Sequence, residues 1–290
     1  MEPGYLEGID NLYEVFGTRT LVEGYAGPLV RLRETATNVE ADFYADAVTG
    51  ALSPAAVKSW LDGYGAADAA IPTWYGQLGL DNYTQAGASS QPLLNINREL
   101  VTVDFTRAGS REMTGGTYLR DFARNRQTLT ALLVRNWGST FAPTYLFFSI
   151  AASNALRFVL RNDTSGLNTG LRIGGRLADA DADTIGVQVA RSLNGGTWGV
   201  QIAQVDLANA LAYHRWNTDR VSSAFIGPGT YPDTRSATAG LATAGGNRAN
   251  CEYSAVVLTT DLLTEDEELL LLRRFAKLMP KDGRGVTRWW

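Results

Sequence analysis

From Leu100 onward the chain alternates short apolar runs with clusters of Gly, Asn and Asp, and each run has the length of a strand. The candidates are Leu100 to Phe105, Thr128 to Trp137, Tyr145 to Ile150, Leu156 to Arg161, Gly170 to Ile173, Ile185 to Arg191, Trp198 to Val205, Leu211 to Trp216, Arg220 to Ile226 and Glu252 to Thr260. Turn signals recurring at roughly 8–15 residue intervals predict an all-β antiparallel sandwich, because βαβ units would need helical periodicity between the strands. Asn194-Gly195-Gly196 is the clearest hairpin turn, since glycine reaches positive φ at little cost. Two segments break the strand rhythm. Ser53-Pro54 is a helix start, with Ser capping free amides and Pro tolerated in the first turn, and the helix runs through Ala55 to Leu61 and ends near Gly63. Thr264-Glu-Asp-Glu267 fits a capping box that opens an amphipathic C-terminal helix. Its stripe is Leu269, Leu272, Phe275, Ala276 and Met279, with Arg273, Arg274 and Lys277 near the negative end of the dipole. Nearer the start, Thr18 to Arg33 is broken by Gly24 and Gly27-Pro28 and predicts two short strands around a turn.

Composition narrows the picture. With 290 residues, 45% of them hydrophobic, the chain can bury a sizeable core, and one large domain over residues 1–280 is the expectation. A net charge of −4 and a pI near 5.2 provide no basic field for a nucleic-acid backbone, so nucleic acid is not an expected partner. Apolar stretches such as Ala131 to Val134 and Val256 to Leu258 fall far short of the roughly 20 residues of a membrane helix. Met1-Glu-Pro-Gly-Tyr-Leu-Glu lacks an apolar signal region, so the chain is expected to remain in the cytoplasm that makes it or to leave by assembly or lysis. Cys251 is the one cysteine and His214 the one histidine. Neither an internal disulfide nor a His/Cys zinc site is expected, and no Ser/His/Asp signature accompanies His214, which reads as a structural histidine on a strand.

The remaining polar and aromatic residues offer modest chemistry. Asp42, Asp104 and Glu252 read as solvated or hydrogen-bonded structural acids. Asp179, Asp181 and Asp183 alternate along one loop and suit the oxygen preference of Ca²⁺, but the Gly and terminal Glu of an EF-hand are missing; a solvated loop and no cofactor is the first reading, Ca²⁺ the alternative. Trp137, Tyr145, Trp198 and Trp216 stand at or near strand ends, where flat rings can stack on sugars, although a strand aromatic serves a core more often than a ligand. Trp60, on the Ser53 helix, reads as core. Gly174-Gly175 and Gly245-Gly246 lack the strand–loop–helix setting of a phosphate site and read as turns. The tail, residues 281–290, is basic and ends in Trp289-Trp290; those rings are expected to bury against this domain or to anchor a neighbouring subunit.

A set of short pieces adds a resemblance: Tyr25-Ala-Gly-Pro-Leu-Val-Arg-Leu-Arg33, Trp74-Tyr75-Gly-Gln77, Thr84-Gln85-Ala86 and Gln91-Pro92. Together they resemble the entry segment of concanavalin A-like (LamG-like) jelly-roll sandwiches of tailed-bacteriophage virion proteins and, more distantly, of the family 54 arabinofuranosidase catalytic domain. The final strand, loop and helix are similar to the closing element of that module. The resemblance implies a single jelly roll with an entry segment over residues 1–35. It also implies a virion structural protein, in head decoration or a tail adhesin, that assembles with other virion proteins, forms a homo-oligomer and binds host-surface glycan. The alternative it implies is a glycan-active enzyme, and a lectin-like module without an assembly role is a third reading. Against the enzyme, the arabinofuranosidases carry Tyr-Asp-Gln-Ser-Gly where this chain has Tyr75-Gly76-Gln77-Leu78-Gly79. Their vicinal cysteine pair and their nucleophilic Glu match no position here, so no catalytic residue is carried over.

Overall fold

The computed structural model describes residues 4–97, 100–106, 111–122, 128–136, 145–151, 157–162, 169–174, 184–189, 198–206, 208–224, 237–241 and 251–279. The strands in chain order are β1 (Leu12–Gly17), β2 (Pro28–Glu34), β3 (Glu40–Tyr44), β4 (Ala69–Tyr75), β5 (Asn82–Thr84), β6 (Leu93–Asn95), β7 (Thr102–Asp104), β8 (Met113–Gly115), β9 (Thr128–Asn136), β10 (Tyr145–Ala151), β11 (Arg157–Asn162), β12 (Thr169–Gly174), β13 (Thr184–Val189), β14 (Trp198–Asp206), β15 (Leu211–Trp216), β16 (Asp219–Ala224), β17 (Ala237–Leu241) and β18 (Glu252–Thr259). Helix α1 (Pro54–Tyr64) follows β3, the short α2 (Thr117–Arg120) follows β8, and α3 (Glu265–Phe275) follows β18.

All pairings are antiparallel. One layer runs β1-β18-β9-β14-β15-β16, and another runs β3-β2-β4-β5-β8-β17-β10-β11-β12-β13, with β6 and β7 linking β4 to β18. The main core lies between the layers. Phe16, Leu133, Val205 and Val256 of the first meet Leu32, Ile71, Trp74, Tyr83 and Met113 of the second, and the Phe16 ring sits 4.6 Å from Tyr83 and 5.9 Å from Trp74. Period-two alternation along β9 sends Leu132 and Val134 to the opposite face, where α3 covers them with Leu271, Leu272 and Phe275.

Both long helices form where their caps predict. Ser53 accepts from the Ala56 amide, and Gly65 ends α1 in the left-handed region at φ 65, one residue past Tyr64. Thr264 and Glu267 form the capping box of α3. The buried face of α3 is Glu268, Leu271, Leu272 and Phe275, with Leu269 half-buried, so the expected stripe is rotated toward Leu271. Glu268 is 1% exposed, which a carboxylate tolerates only with partners. It accepts from Arg215 Nε at 2.5 Å, from Arg220 Nε at 3.0 Å and from Gln204 Nε2. Arg215 and Gln204 project from β15 and β14, so the cluster joins α3 to the sheet.

The N-terminal strands correct the sequence reading. The first strand is Leu12–Gly17, ahead of Thr18, because it pairs with β18 in the register Val15↔Val257. The second, Pro28–Glu34, falls where expected. The short β5, β6 and β8 and the small-residue β17 carry too few alternating positions to be seen in sequence alone. Trp60 is half-buried at the core margin, edge-on to Phe43 and Tyr64, and is not wholly enclosed.

Candidate functional site

Where β1 ends, the backbone leaves the sheet and turns across the mouth of the sandwich. Thr18 donates its amide to Ser254 O at 3.1 Å, Leu52 donates back to Thr18 O at 2.9 Å, and Thr20 donates to Gly50 O at 2.7 Å. The segment from Asp46 to Pro54 is thereby bound to Thr18–Thr20. Between them and Leu100, Val101 and Leu278 lies a cavity of about 440 Å³. Its walls are mostly apolar, from Ala51, Leu52, Pro54, Leu100, Val101 and Leu278, and its polar groups come from Arg19, Asp46, Thr49, Ser53 and Ser254.

Ser254 reaches the cavity through a β-bulge. Tyr253 pairs with Arg135 and Ala255 with Val134, so Ser254 is the extra residue of β18. Ser254 is 3% exposed, and its hydroxyl has no hydrogen-bond partner among the described residues. The same is true of Arg19 Nε, while Arg19 Nη2 donates to Thr49 O at 2.7 Å and the guanidinium lies 5.0 Å from the Tyr5 ring centroid. Asp46 Oδ1 accepts from the amides of Val48 and Thr49 and from the Thr49 hydroxyl, which hold its carboxyl below the usual range.

The motif Trp74-Tyr75-Gly76-Gln77 positions this site. Gln77 Nε2 donates to Arg19 O at 2.6 Å, and its Oε1 accepts from the amides of Leu21 at 2.8 Å and Val22 at 3.2 Å. Trp74 Nε1 donates to Gly17 O at 3.1 Å. Buried Glu14 accepts from the amides of Leu78, Leu80 and Asp81 and so folds the turn after Gln77. Gly76 has no room for a side chain: a Cβ there would lie 2.2 Å from Asp81 O and 2.5 Å from the Glu14 carboxyl carbon. The aspartate that the arabinofuranosidases place at this motif position therefore has no room here. Gly76→Ala is expected to lower stability by about 1–3 kcal/mol through overpacking, measured as a fall in the urea midpoint.

Of the aromatic candidates, Trp198 and Trp216 do not line the cavity. Trp216 is fully buried between the layers: Gly199 lies against its ring, at a position where a Cβ would come within 2.4 Å, and the Arg135 guanidinium is 4.8 Å from the ring centroid. Trp198 is 7% exposed and belongs to the core under α3. Neither presents a face on which a sugar can stack, because the strands that carry them are covered on both sides. Tyr145 opens β10, with its side chain outside the described residues. Trp137, Asp179, Asp181, Asp183, Trp289 and Trp290 also lie outside the described residues.

The acids and His214 have structural surroundings. Asp42 is paired with Arg31 at 2.8 Å, an interaction that lowers its pKa, and accepts from the Tyr75 hydroxyl at 2.8 Å. Buried Glu252 accepts from Thr102 and Asn136, and buried Asp104 from the Thr106 amide at 2.6 Å. His214 is fully buried on β15. Arg135 Nε donates to Gln201 Oε1 at 2.8 Å, which leaves Gln201 Nε2 to donate to His214 Nε2 at 2.9 Å. The His214 proton is thereby placed on Nδ1, which has no hydrogen-bond partner among the described residues. Burial first, and the nearby Arg135 charge second, push the His214 pKa down to about 3.

No family model and no curated protein matches the chain. Solved structures do. A crystal structure of an arabinofuranosidase complexed with arabinofuranosyl-α-1,2-xylobiose superposes with a TM-score of 0.62 at 12% identity, covering 95% of this chain and 64% of that one. A GH54 α-L-arabinofuranosidase soaked with a cyclic sulfate inhibitor gives the same TM-score and identity, with 95% and 65% coverage. A looser match, TM-score 0.43 at 13% identity over 58% of this chain and 89% of the other, is the CBM40 domain of the Ruminococcus gnavus IT-sialidase bound to α2,3-sialyllactose. The chain thus spans less than two thirds of the length of the arabinofuranosidases it matches. At this identity the likeness is one of fold: a mainly β, concanavalin-like jelly roll built from antiparallel strands.

Proposed function

We propose that the chain is a non-enzymatic bacteriophage virion subunit, in head decoration or a tail adhesin, acting through protein contacts and through carbohydrate held in the Arg19–Ser254 cavity. The acid–base inventory of that cavity carries the reading. Glycoside hydrolysis needs two carboxyl groups flanking one bond, with the acid's pKa raised. Among the described residues the cavity has one, Asp46, and its carboxyl is held low by its own loop. It offers instead hydrogen-bonding groups without partners beside an apolar wall, which is equipment for holding a sugar. The virion assignment is supported by the likeness of the Tyr25–Pro92 motifs to phage jelly rolls, and Trp289 and Trp290 are proposed as the anchors between copies.

Light scattering on the full chain and on a version ending at Met279 tests the assembly role. A homo-oligomer that becomes monomeric without residues 280–290 is the expected result, and a monomer in both cases removes the proposed anchor. Incubation with aryl-arabinofuranosides and mixed polysaccharides tests the chemistry. No turnover is expected, whereas turnover above background establishes the enzyme reading in its place.

A further inference from the structure

We infer that the Arg19–Ser254 cavity selects an acidic sugar, a uronate, whose carboxylate is received by Arg19 and the Ser254 hydroxyl at the N-terminal end of α1. This rests on the carbohydrate reading above and adds the class of saccharide. Three independent features of one cavity call for an anion. Arg19 forms no ion pair with a carboxylate among the described residues, and its Nε–H lacks an acceptor. Ser254, delivered by the bulge and almost wholly buried, carries a second donor, its hydroxyl, without a partner among the described residues. Each is a buried donor that still calls for an acceptor, and in the lining of a cavity a bound ligand supplies one. The third feature is α1, an 11-residue helix whose Ser53-Pro54 start lines the cavity; Ser53 caps the Ala56 amide and Pro54 has no N–H, but the first turn carries no acidic residue, so the helix dipole adds its favourable sign for an anion there.

The remaining charge in the lining is Asp46. Its Oδ1 is committed to the Val48 and Thr49 donors, and its Oδ2 accepts no hydrogen bond among the described residues. Asp46 is exposed, which leaves Oδ2 available to a sugar hydroxyl and makes it repel a second carboxylate. A neutral sugar would meet Asp46 but leave the guanidinium without a counter-charge. A uronate meets both, with its carboxylate on Arg19 and a hydroxyl on Asp46, while the apolar wall from Leu52, Leu100 and Val101 receives a ring face.

Calorimetric titration of the full chain with oligogalacturonate and with its carboxyl-reduced, neutral counterpart tests the inference. The acidic oligosaccharide is expected to bind at least tenfold tighter, with affinity falling as salt rises. Arg19→Gln should bring it down to the level of the neutral form. Ser254→Ala should weaken it about threefold to tenfold without lowering the melting temperature, because that hydroxyl makes no hydrogen bond within the described fold. Equal binding of the two oligosaccharides, or uronate binding indifferent to both substitutions, overturns the inference and leaves carbohydrate binding standing. Failure of the wild-type chain to bind either oligosaccharide or any member of a broad glycan panel overturns both.

Discussion

Replacing Glu268 by leucine is expected to cost about 3–5 kcal/mol of stability, because the change leaves a buried guanidinium without its counter-charge. The Arg215 side chain is 2% exposed and holds Glu268 Oε2 through its Nε, while its other carboxylate, Glu265 at 3.3 Å, is 63% exposed and screened by solvent. Arg220 and Gln204 lose the same acceptor. A chain of this length should melt about 6–10 °C lower as a result. The paired change Glu268→Leu with Arg215→Met removes both desolvated charges together and should recover most of the loss. Denaturant midpoints of the two single variants and the double variant check this cycle. A cost for Glu268→Leu under about 1 kcal/mol would mean that water, not Arg215, balances the carboxylate.

Acidification should destabilise the protein from pH 6.5 downward, with His214 as a principal source. The unfolded chain takes up a proton near the ordinary imidazole value of 6.5, whereas the folded chain withholds it until about pH 3. Between those values the unfolded state binds more protons, so stability rises with pH and is lost as pH falls. At about 1.4 kcal/mol per pH unit the window corresponds to roughly 4–5 kcal/mol at its acid end. His214→Gln keeps an acceptor for Gln201 and removes the titration, so its stability curve should be flatter than wild type across this window, whatever the substitution costs at pH 7. Parallel curves for the two proteins would show that His214 does not carry the acid sensitivity.

How much of this was legible in sequence depends on what each residue answers to. The strands β9, β14, β15 and β18 and the two longer helices are local objects: alternation, Ser53 and the Thr264–Glu267 box specify them, and they form within a residue or two of the expected limits, except that α3 ends at Phe275 and gives way to a 3-10 turn over Ala276–Leu278, short of the Met279 of the expected stripe. The motif residues that carry the family resemblance prove to be staples. Gln77 holds Arg19 and Leu21, Gln91 accepts from Arg33 at 2.8 Å, and the Tyr25 hydroxyl donates to Pro28 O at 2.6 Å. They report a backbone path, which is why they reveal the fold and say little of chemistry. The cavity was illegible because its polar members come from three separate segments, at Arg19, Asp46 to Ser53 and Ser254, and sit in no recognisable spacing. For Ser254 the decisive fact is a bulge, and a bulge depends on the partner strand. Trp198 and Trp216 misled for the opposite reason: their position near strand ends suggested a rim, but both faces of their layer are covered, by the second sheet and by α3.

The ladder between β1 and β18 also sets a schedule for the molecule. Asn11 bonds Asp261 across 250 residues of chain, and Val15 pairs with Val257, so the central layer cannot close until all the chain between β1 and β18 has been made. At synthesis rates of about 5–20 residues per second, β1 waits roughly 12–50 s for its neighbour. Throughout that interval the apolar faces of Phe16 and Val15 lack the strand beside them. Closing so long a loop is also a slow step once the chain is free, since its entropy is lost before the contacts form. Yield at high expression temperature should therefore be limited by how well the host shields an unfinished chain, a dependence on chaperone supply that the stability of the finished protein would not reveal.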